Sequence, residues 1–168
     1  PAGLACATVA AQRGHRVVLF DRADAIGGQF NLARRIPGKE EFDETLRYFN
    51  HRIAETGVDL RLSTDVVPEA LDAFDEVVLA TGVTPRAVDF AGHDHPRVVS
   101  YIDVLQGRVV PGRRVAIVGA GGIGFDVSEF LVQDAPSPSL DLEVWMRDWG
   151  VDPRFESAGG LAPPRVAP

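Results

Sequence analysis

Apolar positions along the chain change period several times, and each change marks an element. Residues 2–13 are mostly small and apolar, and Gly14 supplies the residue that commonly ends a helix. "RVVLF" at 16–20 is an unbroken β-branched-rich run, as in a parallel strand covered on both faces. Residues 22–39 lose the period, carry Gly27, Gly28, Pro37 and Gly38, and read as a loop holding one short helix. Phe42, Leu46, Phe49 and Ile53 then recur at helical spacing within 40–56, and Gly57 closes that run. "VDLRL" (58–62) alternates like a strand, and "EVVLAT" (76–81) reads as a second buried strand.

Further on, "YIDVLQG" (101–107) predicts a short helix before a turn at Pro111-Gly112. Residues 113–133 read as strand, glycine turn and helix, with Ile123, Val127, Phe130 and Leu131 as the helix's apolar side. "LEVWM" (142–146) predicts a strand, and "GGLAPPRVAP" shows no packing pattern. The alternation of β and α predicts an α/β fold built on a parallel sheet.

The glycines of 115–124, "VAIVGAGGIG", bring in chemistry. Gly119, Gly121 and Gly124 form G-x-G-x-x-G directly after an apolar strand and directly before a helix. In that context Gly119 permits the tight turn, Gly121 lets backbone approach a pyrophosphate, and Gly124 lets helix and strand pack closely. The helix N-terminus adds unpaired N–H groups and partial positive charge. The alternative is a merely tight strand–helix turn. A second unit is expected at the start: Gly3 reads as the third glycine of another fingerprint, opening inside it. Asp21 ends the next strand, eighteen positions beyond Gly3, where an acid binds a ribose hydroxyl; otherwise it is a solvated strand-end carboxylate. The expected fold is thus two incomplete Rossmann-like dinucleotide-binding units, truncated at both ends, with residues 1–107 for the first and 108–168 for the start of the second.

Composition narrows the partners. The 168 residues carry a formal charge of −7 and 45% hydrophobic residues, which argues for a packed core and against nucleic-acid or anionic-membrane surfaces. No apolar run approaches a membrane span, and the opening lacks a basic signal-peptide start. Cys6 is the only cysteine, so this chain alone cannot hold a cysteine-bound iron–sulfur cluster, and the cytoplasm is the expected compartment. Cys6 is expected on the inner face of the first helix. His93 and His95 in "GHDHP" lack a third metal ligand at suitable spacing, so no metal site is expected. Trp145 and Trp149 read as packing residues, and the acids of 40–44 as a favourable first helical turn.

Taken together, "PAGLA", "LFDRADAIGGQFNLARRIPGKEEFDETLRYF", "LATGVTPR", "HPRVVSYIDVL" and "VAIVGAGGIGFD" resemble the bacterial NADPH-dependent 2,4-dienoyl-CoA reductases, relatives of trimethylamine dehydrogenase. Gln29-Phe30-Asn31 is closer to the reductases than to the dehydrogenases. The resemblance covers nearly the whole chain and is weakest after Gln133. It implies that Ala2 and Gly3 lie at the FAD pyrophosphate, Asp21 at the adenosine ribose, and Gly28 and Gln29 beside the flavin nucleotide. It also implies that Lys39 offsets pyrophosphate charge, although Lys39 is equally readable as a solvated residue near a helix start. Val66 would meet the adenine through its backbone. Ala80, Thr81 and Gly82 would form the A-T-G crossing segment, and Gly119, Gly121, Gly122 and Gly124 the NADPH loop. Arg147 is a candidate for a 2′-phosphate contact.

The same resemblance implies hydride transfer from NADPH to FAD, then electron passage through a 4Fe–4S cluster and FMN on an N-terminal barrel to a 2,4-dienoyl-CoA, a step of fatty-acid β-oxidation. Barrel, cluster and proton-donating residues lie outside this chain, so the expected contribution is cofactor binding, without catalytic side chains and without activity alone. The alternatives are another NAD(P)H:flavin oxidoreductase with a different acceptor, or a non-catalytic nucleotide-binding module.

Overall fold

The computed structural model describes residues 1–86, 88–133 and 136–162. Helix α1 (Ala2–Gln12) leads into strand β1 (Val18–Phe20), followed by the short α2 (Phe30–Ala33), α3 (Phe42–Thr56) and β2 (Asp59–Arg61). β1 and β2 pair in parallel, with Leu19 opposite Leu60. The connection between two parallel strands needs a crossover, and α2 and α3 supply it. Gly57, in left-handed backbone at φ 71°, ends α3 and turns the chain directly into β2.

One core lies where α1 and α3 meet the two strands. Leu4, Ala7, Ile26, Ile53 and Val58 are buried there, and Leu19, Phe49 and Leu60 pack against them. Leu4, Ala7 and Ala11 define the inner stripe of α1 by their helical spacing. That stripe leaves Cys6 exposed, against the expectation of a buried thiol. Thr8 is buried without penalty because its hydroxyl donates to the Leu4 carbonyl at 2.9 Å.

The second core joins Ile36, Leu105 and Val127, with Leu32, Tyr101, Phe130 and Leu131 around them. Leu105 comes from α4 (Tyr101–Leu105), which Ser100 caps by accepting from the Ile102 N–H. Val127 comes from α5 (Gly122–Val132). Phe130 and Leu131 share its apolar side as expected, but Ile123 is exposed. It stands in the first turn, beyond the reach of the Ile36–Leu105 contact.

Three strand expectations are corrected. Residues 76–81 and 115–118 pair with no strand among the described residues, and Val78 and Leu79 are 69% and 81% exposed. β-propensity reports fitness for a pleated, half-buried surface, and it orders nothing without a hydrogen-bonded neighbour. Residues 142–146 belong to a helix, α6 (Leu142–Trp149). Asp141 accepts from the Glu143 and Val144 N–H groups, and Gly150 closes the helix in left-handed backbone. Two good caps outweigh the apolar alternation that suggested a strand.

The tail is also more ordered than its sequence suggested. Leu161 bridges Val151, and the Ala162 N–H donates to the Gly150 carbonyl at 2.7 Å. Asp152 receives the Ser157 and Arg154 N–H groups, which hold its carboxyl below the usual carboxylate range. Residues 163–168, the end of the "GGLAPPRVAP" stretch, lie outside the described residues. Trp145 and Trp149 pack on each other, ring centroids 6.0 Å apart, at the surface rather than in a core.

Candidate nucleotide cradles

The second cradle is built by the backbone of residues 119–124. Gly119 holds φ 122°, a value that side chains rarely permit. A Cβ on Gly124 would stand 2.3 Å from the Gly119 carbonyl oxygen, so only glycine fits where α5 starts against the turn. At Gly121 and Gly122, by contrast, a Cβ would meet nothing within 4 Å. Gly121 caps α5 without any side chain, which leaves the helix's first N–H groups to an incoming anion. The turn is sterically closed behind and open in front. The open side offers uncapped helix N–H groups and unobstructed backbone, the features that a dinucleotide's diphosphate requires.

The first cradle gathers segments distant in sequence. A Cβ on Gly3 would lie 3.3 Å from the Ala80 Cβ and 3.4 Å from Leu19 Cδ1, so α1 rests directly on β1 and the 80–82 segment. Like α5, α1 has no side-chain cap on its N–H groups near Ala2. Gln29 donates from Nε2 to the Val83 carbonyl at 2.9 Å, tying the glycine pair to the chain just past Gly82. Gly28 lies near Pro1, where an added Cβ would be 4.0 Å from the proline Cδ. Ala2, Gly3, Gly28, Gln29, Ala80, Thr81 and Gly82 therefore converge on the α1 N-terminus.

Asp21 follows β1 and accepts from the Ala23 N–H at 2.9 Å. Its carbonyl accepts from the Thr64 N–H at 3.0 Å, and the Ser63 N–H donates to the Ala23 carbonyl, so residues 63–64 run beside the chain that follows β1. Gly27, adjacent to the expected site residue Gly28, proves the tighter position. At φ 115°, its added Cβ would stand 2.7 Å from Leu46 Cδ2. A glycine pair in sequence announces unusual backbone without saying which member is enclosed.

Lys39, expected near the pyrophosphate, is paired with a carboxylate of α5. Its ammonium donates to Asp126 Oδ2 on α5 at 2.7 Å. Next to it, Glu40 accepts from the Ser139 hydroxyl at 2.9 Å. Burial pushes the Glu40 carboxyl up, but hydrogen bonds from its own N–H, Ser137, Ser139 and Gly38 outweigh this and leave it below its ordinary value. Arg147 lies on α6 with its guanidinium near Asp148, 3.6 Å away. His93 Nδ1 lies 2.9 Å from the Phe90 carbonyl, and His95 Nδ1 accepts from the Arg97 N–H.

Residues 1–136, which hold both cradles, match the pyridine nucleotide-disulphide oxidoreductase family. The chain belongs to that family. Its FAD/NAD(P)-binding Rossmann-like fold and its place among flavin-dependent oxidoreductases follow. This oxidoreductase domain is 34% identical over 149 residues to a metal reductase of Desulforamulus reducens, covering 85% of the chain and 22% of the relative. It is 42% identical over 125 residues to an N,N-dimethylglycine/sarcosine dehydrogenase of Chromohalobacter salexigens, covering 70% of the chain and 18% of the relative. Among solved structures it is similar to a 2-naphthoyl-CoA reductase in complex with 2-naphthoyl-CoA, with a TM-score of 0.73 and 33% identity. That likeness covers 78% of this chain and 20% of the other. The chain thus spans about a fifth of the length of these relatives. None of the described helices is long and apolar enough to cross a membrane.

Proposed function

We propose that this chain is the FAD- and NADPH-binding part of a reductase in which hydride passes from the nicotinamide to FAD, and that the intact enzyme reduces a 2,4-dienoyl-CoA. The observation that carries the reading is the turn at Gly119–Gly124, closed by backbone behind and open toward α5's uncapped N–H groups. A second cradle of the same kind at Ala2–Gly3 supports two nucleotides rather than one. FAD, when bound, supplies an acceptor for two electrons and can release them singly to a further centre.

The residues of this chain bind and orient. N–H groups near Ala2, Gly3, Gly121 and Gly122 receive diphosphates, and Asp21 accepts a ribose hydroxyl. Gly28, Gln29 and the Ala80–Gly82 segment hold the flavin nucleotide in place, and Val66 offers backbone to the adenine. Residues 1–107 form the flavin-binding part and 108–168 the beginning of the NADPH-binding part. The proton chemistry at the substrate, an FMN and a 4Fe–4S cluster belong to parts of the enzyme outside this chain, in keeping with the single cysteine here.

The acyl-CoA assignment rests on the "IGGQFNLARRIPGKEEF" stretch, and the acyl-CoA bound by the structural relative agrees with it. The relatives' differing substrates keep one other reading in play, the same coenzyme chemistry with another acceptor. Anaerobic addition of NADPH to the FAD-loaded holoprotein tests the first step, and bleaching of the flavin band is the expected result. An unchanged spectrum would make this a nucleotide-binding module. Re-oxidation of the bleached flavin by a 2,4-dienoyl-CoA, and not by ferric or quinone acceptors, then decides the substrate.

A further inference from the structure

Residues 26–40 connect the two cores and the two cradles. Ile26 is buried in the first core and Ile36 in the second. Between them, Gln29 reaches the Val83 carbonyl beside the first cradle. Beyond them the chain turns onto α5. Ile36 packs on Val127, Lys39 pairs with Asp126, the Gly38 N–H donates to Ser137 Oγ at 3.2 Å, and Glu40 accepts from Ser139. The helix that opens the second cradle is therefore gripped along its side and just past its end by the stretch that follows the flavin-side glycines.

These contacts divide the work. The apolar contact of Ile36 with Val127 and Leu105 is non-directional and does not by itself specify the rotation of α5. A charge-assisted hydrogen bond of 2.7 Å has direction. Lys39 and Asp126 are 39% and 31% exposed, so the pair adds little stability. What it can do is select one rotation of α5. That rotation sets where the N–H groups of residues 121–124 point, and so where a nicotinamide is presented to the flavin.

We propose that Lys39 and Asp126 are positioning residues, an ion-paired clasp that holds the NADPH cradle in register with the flavin cradle. The proposal rests on the two-cradle reading above. It gives Lys39 its role through Asp126 rather than through a coenzyme diphosphate.

The test compares Lys39→Met, Asp126→Asn, the charge-exchanged double variant Lys39→Asp/Asp126→Lys, and Glu44→Gln, which alters an exposed pair on α3, in the FAD-loaded holoprotein. Anaerobic stopped-flow reduction by NADPH is expected to slow about tenfold in both single variants, the scale of a small misplacement of reacting groups. FAD content should stay near the parent's, since the flavin cradle loses no ligand-binding group. The double variant should recover most of the rate, and Glu44→Gln should match the parent. Hydrogen exchange supplies a readout apart from turnover. Uptake by α5 and residues 136–140 should rise in both single variants and fall back in the double variant.

Single variants indistinguishable from Glu44→Gln in rate and exchange would overturn the clasp. So would loss of FAD in Lys39→Met with no effect of Asp126→Asn, which would return Lys39 to the flavin diphosphate. If the parent's flavin is not reduced at all, the functional reading fails, while the exchange measurement still decides the clasp.

Discussion

Gly124 stands so close to Gly119 that a single methyl on it would sit 2.3 Å from the Gly119 carbonyl oxygen, far inside contact distance. Gly121, three residues earlier, faces open space. The fold demands glycine at position 124 and leaves position 121 free, where on the proposed reading the coenzyme's diphosphate approaches. Gly124→Ala must push the turn apart, and is expected to lower Tm and abolish NADPH binding together. Gly121→Ala finds room and keeps extended backbone, so its Tm should stay near the parent value while NADPH binding falls at least about tenfold by occupying the diphosphate's place. Thermal melts beside NADPH titrations check this, and parallel behaviour of the two variants would contradict it.

The glycine pair at 27–28 offers the converse contrast. Gly27→Ala suffers both its φ of 115° and the approach to Leu46, whereas Gly28→Ala suffers only a φ of 54°. Left-handed strain alone costs about 1 kcal/mol, so the Gly27 variant should lose clearly more stability in urea unfolding. Gly28→Ala should act chiefly on FAD affinity.

Ile36 is 2% exposed and holds the second core together from a loop rather than from a helix or strand. Ile36→Ala is expected to cost about 2–5 kcal/mol, as for other buried aliphatic truncations. Because Ile36 bears on α5, hydrogen exchange should report faster opening of α5 before the α1–α3 core loosens.

Glu40 gives the clasp region a dependence on pH. Its folded pKa lies below the ordinary 4.5, so the stabilisation is complete above 4.5 and disappears as pH falls through the lowered value. Glu40→Gln should therefore be less stable than the parent near neutral pH, with the difference vanishing in acid. Urea midpoints measured from pH 7 down to about pH 3 follow this directly. A constant difference across that range would assign the effect to packing.

The backbone geometry of the candidate cradles was legible in the chain because it depends on glycines. A turn that needs a positive φ and a close helix–strand approach can be made only from glycines at set intervals, and those intervals survive in the sequence. The helices 2–12, 42–56 and 122–132 were legible too, through apolar spacing and terminal glycines. Strands β1 and β2 were legible as well, within "RVVLF" and "VDLRL", but the other three strand readings were not. "EVVLAT" and "VAIV" have strand composition, yet whether they pair depends on a neighbour that local pattern does not reveal. "LEVWM" misled in the other direction, because Asp141 and Gly150 cap it into a helix from outside the apolar run.

What the sequence determined by itself is the set of places where backbone conformation is dictated by the lack of a side chain: Gly119 to Gly124, the glycine pair at 27–28, and the ends of the long helices. Only tertiary structure decided that Lys39 would meet Asp126, that Ile36 would close a core with Leu105 and Val127, and that Gly27 would be the enclosed member of its pair. The reason is range. Torsional limits act within a residue and its neighbours, so they are written locally. A charge pair between positions 39 and 126, or a contact between 36 and 127, exists only after the chain has brought remote segments together.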